Sequence, residues 1–520
     1  MAALVVFLGL TLPWLNPLTW GPMTGALPLW FSWVGASVAL GVIAAAPAGW
    51  STRRLMRMAA GAWLAAALIS SVMGLLQYVG AVEFLSGWVS PSALGVAFAN
   101  LRQRNQFASL TSMGLVALLW WVTCHAPPHT RSQRSSSTPT LPALPLEAAP
   151  RLHRIGTLGA ALLLGVGNAA SSSRTGLMQL ALIAALTLIW GQLRHPAVRR
   201  TLLATVLIYG LASVALPWLA GLDPLASGAW ARLRDGDAAC ASRLTLWGNV
   251  LHLIAQKPWL GWGWGELDYA HFITLYPGER FCDILDNAHN LPLHLAVELG
   301  VPAAVLLCGA ALWAGWRAKP WREADPLRQL AWTVVAVILL HSQLEYPLWY
   351  GPFQVALGLS VWFLWHTRAS AASRGAKTGV HTGAPTSLGP NLKPFDLLAG
   401  VLIALSASFF IASGAYATWD YHRISQIYLN PGKRSGAYRE NTLSKIQGSV
   451  LFKQQVRFAE LTTTPLTLAN AAHIHSLALA LLHFSPEPRV IEKLIDSAEL
   501  LGQPDEAEFY RVRYRVAFAQ

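Results

Sequence analysis

Long apolar runs separated by short polar segments are the dominant pattern of this chain. A bilayer is crossed by a helix of roughly 17 to 25 apolar residues, so we count runs of that length as membrane spans. We expect an all-α, polytopic integral membrane protein of about eleven, and at most thirteen, transmembrane helices. The predicted spans lie near 2–19, 26–47, 59–80, 106–124, 155–171, 175–191, 201–220, 290–313, 329–345, 350–366 and 395–417.

The polar segments between these runs sort by charge. Alternate segments are rich in arginine and lysine, and such residues collect on the cytoplasmic side of membrane proteins. These segments lie near 53–57, 131–154, 194–200, 317–322 and 368–377. We therefore predict a cytoplasmic N-terminus and an external C-terminus. Within this arrangement, 125–154 and 367–394 are predicted to be cytoplasmic linkers, because they are rich in Ser, Thr, Pro and Gly.

A change of character near residue 417 predicts two domains. Residues 1–417 form the predicted transmembrane domain, which includes a long outer loop at about 221–289. Residues 418–520 carry mixed charges and short amphipathic runs, a pattern that favours a small soluble helical domain on the outer side.

Composition supports a membrane protein and limits the partners. The chain is 54% hydrophobic and only 12% charged, which is too apolar for an ordinary soluble protein. Its net charge of +13 would favour nucleic acid in a soluble domain. Here the cations lie mostly in short loops between apolar runs, as membrane topology predicts, so no nucleic-acid partner is expected.

The outer segments contain arginines where the charge rule expects few cations. Because fixed guanidinium groups on one face favour an anion, these residues predict a negatively charged ligand. The outer arginines are Arg102, Arg104, Arg174, Arg232, Arg234, Arg243 and Arg280. The same long loop contains Cys240 and Cys282, which we predict to form a disulfide in an oxidising outer compartment.

A polar stretch at 283–302 opens one of the apolar runs. Asp286, Asn287 or Asn290 can cap a helix that starts near Leu291, and His289 then lies at the mouth of that helix. A histidine there can be a structural hydrogen-bonding group or a general base, because its pKa lies close to neutrality. Further along, His294 and Glu298 share a helix face at i, i+4 spacing, which favours a structural role.

An ordered set of short motifs resembles the O-antigen ligase superfamily, and within it the bacterial protein O-oligosaccharyltransferases of the PglL type. The resemblance covers about residues 95 to 355. The motifs are NLRQRNQFA at 100–108, SRTG at 173–176, RLTLW at 243–247, PWLGWG at 258–263, AHN at 288–290, ELG at 298–300 and EYPLWY at 345–350.

This resemblance implies a glycosyltransferase of the bacterial inner membrane whose active site faces the periplasm. Such enzymes take a preassembled glycan from an undecaprenyl-pyrophosphate carrier, without a metal or other cofactor. They pass it to a hydroxyl of a protein such as a pilin, or of the lipid A core. The long outer loop and the C-terminal domain would then both be periplasmic.

The resemblance also implies roles for individual residues. His289 matches the family's histidine base, and Arg174 and Arg243 match its essential arginines. A functional tyrosine is expected in the last motif, but Tyr346 and Tyr350 are not distinguished. Residues expected to contact the donor or its glycan are Arg102, Gln103, Asn105, Gln106, Trp247, Asn290 and Glu345.

Several alternatives stay open at this point. Gln103, Asn105 and Gln106 could simply cap a helix, and the segment 345–350 could be a turn bent by Pro347. A lipid A-core O-antigen ligase and an O-antigen polymerase share the donor and most of the motifs. A lipid-linked glycan transporter would also need arginines facing pyrophosphate, although along its whole path, and a sensor would leave the ordered motifs unexplained.

Overall fold

A computed structural model describes residues 1–16, 26–45, 50–85, 88–125, 148–228, 232, 234, 239–368 and 397–518. Most of the two predicted cytoplasmic linkers lies outside these residues, although Arg151, Arg154 and Arg368 of the linkers lie within them. Throughout the described part of the chain the regular secondary structure is helical and contains no strand, which confirms the all-α prediction.

Fourteen α-helices precede the C-terminal region in the described residues. They are α1 Ala2–Thr11, α2 Ala26–Ala45, α3 Thr52–Tyr78, α4 Arg104–His125, α5 Ala148–Ala170, α6 Arg174–Ile189, α7 Pro196–Leu219, α8 Arg243–Gln256, α9 Leu267–Ile273, α10 Leu291–Leu299, α11 Val301–Ala318, α12 Pro326–Ser342, α13 Gly351–His366 and α14 Leu397–Ser425. The C-terminal helices are α15 Thr442–Ile446, α16 Lys453–Thr463, α17 Ala471–Leu482, α18 Pro488–Leu500 and α19 Pro504–Phe518.

Five helical segments of the described chain are long and apolar enough to cross a membrane: Ala26–Ala44, Thr52–Tyr78, Arg104–His125, Pro196–Leu219 and Val301–Arg322. The pattern is that of a multi-pass membrane protein. Each of the eleven predicted spans contains at least one helix, but several of these helices are shorter than a full crossing. The number eleven and the inside–outside orientation stay predictions.

Helix α4 lies at the centre of the bundle, and its residues are largely buried. Small residues allow its neighbours to come close, as is common where apolar helices pack in a membrane. A Cβ at Gly114 of α4 would lie only 2.4 Å from the Cβ of Ala67 on α3, and one at Gly167 of α5 would lie 2.5 Å from Ser71 Oγ. The N-terminal end of this tightly packed helix bears the polar groups described below.

The predicted span at 290–313 is wrong as a single helix. The chain breaks at Gly300, which has a φ of 89°, and continues as α11. The carbonyl oxygen of Trp259 lies 2.1 Å from where a Cβ at Gly300 would be, so another side chain would collide with the backbone there. The apolar pattern of the sequence predicts a hydrophobic helix, but it does not indicate that the backbones of Gly300 and Trp259 lie against each other. Helix α14 also continues to Ser425, beyond the predicted domain boundary at 417.

The C-terminal helices share a core with the outer loop. Ile474, Leu481 and Ile491 are fully buried in this core together with Phe272 of α9. Arg513 Nε donates to the carbonyl of Ile273 at 2.7 Å, and His483 Nδ1 lies 2.6 Å from Glu266 Oε2. The tail therefore packs directly against the loop whose next residues lead to His289.

Candidate active site

The carboxylate of Glu345 is the centre of a polar cluster at the end of the bundle where α4 begins. It lies in the turn between α12 and α13, with a side chain only 7% exposed. Its Oε1 accepts hydrogen bonds from the guanidinium of Arg243 and, at 2.9 Å, from Asn105 Nδ2. Its Oε2 lies 2.8 Å from His289 Nδ1. One buried carboxylate thus joins an arginine, an amide and an imidazole from three distant parts of the chain.

Two of the surrounding helices are linked at their N-termini. Ser173 caps α6 by accepting a hydrogen bond from the Gly176 N–H at 3.1 Å, and its hydroxyl donates to Asn105 Oδ1 at 2.6 Å. Asn105 is the second residue of α4, and Arg174 is the first residue of α6. This link brings the beginnings of both helices to the cluster.

Two more helices begin at the same place. Ser242 caps α8 through the Thr245 N–H at 3.1 Å, so Arg243 is the first residue of that helix. Asn290 caps α10 through the Leu293 N–H at 3.1 Å, and His289 immediately precedes it. Helix N-termini carry partial positive charge, so four of them together with arginines make a strongly anion-attracting region.

His289 is held in an uncommon backbone conformation. Its φ is 50°, a left-handed value that is rare outside glycine and occurs often at functional sites. The His289 N–H donates to Asn287 Oδ1 at 2.9 Å, and the ring packs edge-to-face on Tyr346 with centroids 5.0 Å apart. Because Nδ1 is turned towards Glu345, Nε2 points to the opposite side of a ring whose side chain is 24% exposed.

The segments that carry Arg243 and His289 are tied together. Cys240 and Cys282 form the predicted disulfide, with Cα atoms 5.2 Å apart. Trp247 Nε1 donates to the carbonyl of Ala288 at 3.1 Å. Trp247, expected to contact the donor, thus anchors the backbone just before His289. Asn290 acts similarly, since its Nδ2 donates to the carbonyl of Gln343 at 3.1 Å.

Electrostatics keep the central carboxylate ionised. Burial alone would raise the pKa of Glu345, but its contact with His289 and the positive charge of Arg243 outweigh burial and lower the pKa to about 2. The buried anion at this position holds the guanidinium of Arg243 in place. Asp286, an exposed residue, lies close enough to interact electrostatically with both His289 and Glu345.

The two tyrosines of the last motif differ in position. Their rings stack with centroids 6.0 Å apart, but it is Tyr346 that contacts the His289 ring. Burial, and then the proximity of Tyr350, Asp286 and Glu345, raise the pKa of Tyr346. Tyr346 therefore remains a neutral phenol that can donate a hydrogen bond.

Four further residues predicted for the site differ in their surroundings. Gln103 Oε1 accepts from the Gln106 N–H at 3.2 Å, the capping contact of the simpler alternative. Gln106 is buried close to Tyr350. Arg174 is half-buried beside Ser173. Arg102 is exposed and lies near Tyr421 of α14, apart from the contacts of Glu345.

Sequence reasoning did not single out Ser173, Arg104 or Arg232 as site residues. Ser173 links two helix N-termini, which no local pattern indicates. Arg104 and Arg232 lie close enough to interact electrostatically, and Arg232 Nη1 donates to the carbonyl of Ser172 at 3.4 Å. The sequence feature that could have indicated Arg104 and Arg232 is the excess of arginine on the outer side of the predicted topology.

A second imidazole–carboxylate pair lies along α10. His294 Nε2 is 3.4 Å from Glu298 Oε2, and both side chains are almost completely buried. The Gly265 N–H donates to Glu298 Oε1 at 3.0 Å, so this pair holds the glycine-rich turn against the helix. This arrangement agrees with the structural role expected for His294 and Glu298.

Sequence models of three families match successive parts of the chain. A family described as protein glycosylation ligase matches residues 97–122, and one described as O-antigen ligase matches residues 159–308. A third, described as virulence factor membrane-bound polymerase, C-terminal, matches residues 329–520. Asn105 lies in the first match, Arg243 and His289 in the second, and Glu345 in the third. The contacts of Glu345 thus join all three matched parts.

A curated relative agrees with these matches. The General O-oligosaccharyltransferase of Acinetobacter baylyi is 29% identical over 118 residues, which cover 22% of this chain and 20% of that protein. The resemblance to PglL-like proteins of the O-antigen ligase superfamily is confirmed. The aligned part is only about a fifth of the relative's length. No solved structure matches the chain significantly.

Proposed function

We propose that this protein transfers a preassembled glycan from an undecaprenyl-pyrophosphate carrier to Ser or Thr hydroxyls of periplasmic proteins such as pilins. The observation that carries this proposal is the contact of one buried carboxylate, Glu345, with both Arg243 and His289. The family matches and the name of the Acinetobacter relative support transfer of a glycan to protein.

The anion-attracting side of the cluster suits the leaving group. As the glycosidic bond breaks, its electron pair leaves with the pyrophosphate, where negative charge accumulates. Arg243 and Arg174 can stabilise that charge through paired N–H donors, and the helix N-termini add fixed dipoles. Arg104 and Arg232 are further candidates for this role, because they already lie near each other on the same side.

The imidazole suits the attacking group. The acceptor hydroxyl oxygen forms the new bond to the anomeric carbon, and its proton passes to His289 Nε2. Glu345 holds the ring through Nδ1 and stabilises the imidazolium that results. Attack by a single hydroxyl inverts the anomeric configuration, so an anomeric assignment of donor and product that shows retention would contradict this mechanism.

The proposed setting is the bacterial inner membrane. The protein would cross it about eleven times, with the Glu345 cluster and the C-terminal helices on the periplasmic side. The reaction as proposed uses no metal and no nucleotide, because the carrier's pyrophosphate is already an activated leaving group. If a chelator stopped transfer and a divalent metal restored it, the proposal that the reaction needs no metal would be contradicted.

The second candidate function is glycan polymerisation, favoured by the match of residues 329–520 to a polymerase C-terminal family. A lipid A-core ligase is the other close alternative, from the match to O-antigen ligase. Both would use the same donor side of the cluster and differ in the hydroxyl that reaches His289.

The test is in vitro transfer by the purified protein from lipid-linked oligosaccharide. Three acceptors are offered separately: a pilin-like protein, lipid A core and a second molecule of lipid-linked glycan. We expect glycosylation of the protein acceptor. Transfer to lipid A core alone, or chain elongation alone, would replace the proposal with the corresponding alternative.

A further inference from the structure

Helix α8 and the turn after it present a continuous apolar surface that no part of the described chain covers. We call it the outer apolar face; it consists of Leu244, Gly248, Leu251, Ala255, Trp259 and Leu260. Leu244 is 80% exposed and Leu251 54%, while Trp259 and Leu260 at the turn are 76% and 86% exposed. Their spacing of three or four residues puts the helical members on one side of α8.

The opposite side of α8 is mostly apolar, because Leu246, Val250 and Leu253 are buried against the loop and α10. The buried polar side chain there, Asn249, has both its amide groups hydrogen-bonded to the loop backbone. Between Arg243 and Lys257 the helix carries no Asp, Glu, Lys or Arg. A surface helix in water normally has a charged outer face, whereas a helix that is apolar all round is buried or lies in a membrane.

The outer apolar face is joined to a candidate membrane span. The Val301 N–H at the beginning of α11 donates to the carbonyl of Pro258 at 2.8 Å, and Gly300 packs directly against the backbone of Trp259. Helix α11 is long and apolar enough to cross a membrane, and only 6% of its apolar window is buried by protein. The turn that ends α8 is therefore fixed at the depth where α11 enters lipid.

We propose that the outer apolar face lies against lipid, in the interfacial layer of the outer leaflet. Trp259 then occupies the layer that tryptophan favours, and Lys257, 4.0 Å above the Trp262 ring, reaches the headgroups. Arg243 at the start of the same helix is held near the headgroups as well. Resting on the proposed function, this contact brings Arg243 to the level of the pyrophosphate of a membrane-anchored donor.

Nitroxide labels can report this contact independently of activity. The full chain is reconstituted in phospholipid nanodiscs with Cys124→Ser and Cys308→Ser, which leaves the Cys240–Cys282 disulfide intact. Labels are attached at Leu251→Cys and Leu260→Cys. The matched control is Leu468→Cys, a leucine of the tail that is 77% exposed. Collision rates are measured with oxygen, which concentrates in bilayers, and with a water-soluble nickel chelate.

We expect the oxygen-to-nickel collision ratio at residues 251 and 260 to be several-fold higher than at residue 468. A ratio equal to that of the control would mean that the face meets water or a protein partner, and would overturn the proposal.

A kinetic measurement then tests the link to the donor. Leu251→Asp should raise the KM for lipid-linked donor several-fold, and Leu468→Asp should not. An unchanged KM would overturn that link. If the labels report lipid but the protein transfers no glycan to any acceptor, the lipid contact stands and only the proposed function is contradicted.

Discussion

The chain contains two histidine–glutamate pairs whose histidines are only five residues apart, yet their surroundings differ. His289 and Glu345, called the outer pair because His289 belongs to the outer loop, lie at the end of the bundle where α4 begins. There the imidazole is 24% exposed and the carboxylate also binds Arg243 and Asn105. His294 and Glu298 lie within α10, 3% and 2% exposed, and their other contacts are a backbone N–H and aromatic rings.

This difference gives two similar imidazole–carboxylate pairs different chemical possibilities. The buried pair is almost completely enclosed, and its recorded contacts with other described residues are a backbone N–H and tryptophan rings rather than an arginine or lysine. The outer pair has an accessible ring edge, an adjacent guanidinium and four helix N-termini. The two pairs therefore differ in how exposed the imidazole is and in whether an arginine lies beside the carboxylate.

The largest expected effect comes from removing the proposed base. His289→Ala should lower the transfer rate about 10²- to 10⁴-fold, the usual contribution of general acid–base catalysis. The measurement is the initial rate of glycan transfer, with the melting temperature as a control for folding. Undiminished transfer would remove His289 from the mechanism and leave the two pairs equivalent.

Arg243→Lys tests the cation that only the outer pair possesses. Lysine keeps the charge but loses the two-pronged donor, so we expect a loss of about 10²-fold, comparable with removing one donor to a developing anion. The measurement is kcat and KM for the lipid-linked donor. Wild-type kinetics would argue against bidentate binding of phosphate.

Glu345→Gln tests the carboxylate that holds the outer pair. We expect a loss of about 10- to 100-fold, as for residues that orient a functional ligand, and a smaller additional effect in a His289→Ala background because the two act as a unit. Equal loss in both backgrounds would mean that Glu345 does not act through His289.

The same variant has a pH signature. The pKa of Glu345 is lowered from its usual 4.5 to about 2, so its stabilising contribution is present above pH 4.5 and is lost as the pH falls through 2. Between pH 4.5 and 2 the wild type should therefore lose more thermal stability than Glu345→Gln does. Parallel loss in both proteins would contradict the assigned pKa.

The tyrosines test which neighbour of the outer pair matters. Tyr346→Phe removes a phenol beside His289 and should lower transfer about tenfold, roughly the value of one hydrogen bond. Tyr350→Phe should have a smaller effect, because its ring stacks on Tyr346 and not on His289. The measurement is kcat for both variants; the reverse order would assign the functional phenol to Tyr350.

The smallest effect on activity is expected in the buried pair. His294→Asn removes the contact with Glu298 and should lower the free energy of unfolding by about 1–3 kcal/mol, the cost of leaving a buried polar group unpaired. The transfer rate measured well below the melting temperature should change less than severalfold. A loss as large as that of His289→Ala would erase the distinction between the pairs.

Much of this distinction was predictable, because it depends on local pattern. An apolar run preceded by His289 and Asn290 indicates a helix start, and the i, i+4 spacing of His294 and Glu298 indicates a shared face. The arginine excess on one side of the predicted topology indicated an anion. The partner of His289 was not predictable, since Glu345 was assigned to glycan contact and its three partners lie 56, 102 and 240 residues away.

The sequence by itself determined the helical membrane character of the chain, the helix start beside His289 and the two cysteines of the outer loop, because each depends on hydrophobicity, capping or composition over a few residues. Only the tertiary structure decided that α10 and α11 separate at Gly300, that Ser173 links two helices, and that Glu345 joins Arg243, Asn105 and His289. Such contacts depend on how distant helices pack, and the free energy of that packing is distributed over side chains that no local pattern relates to one another.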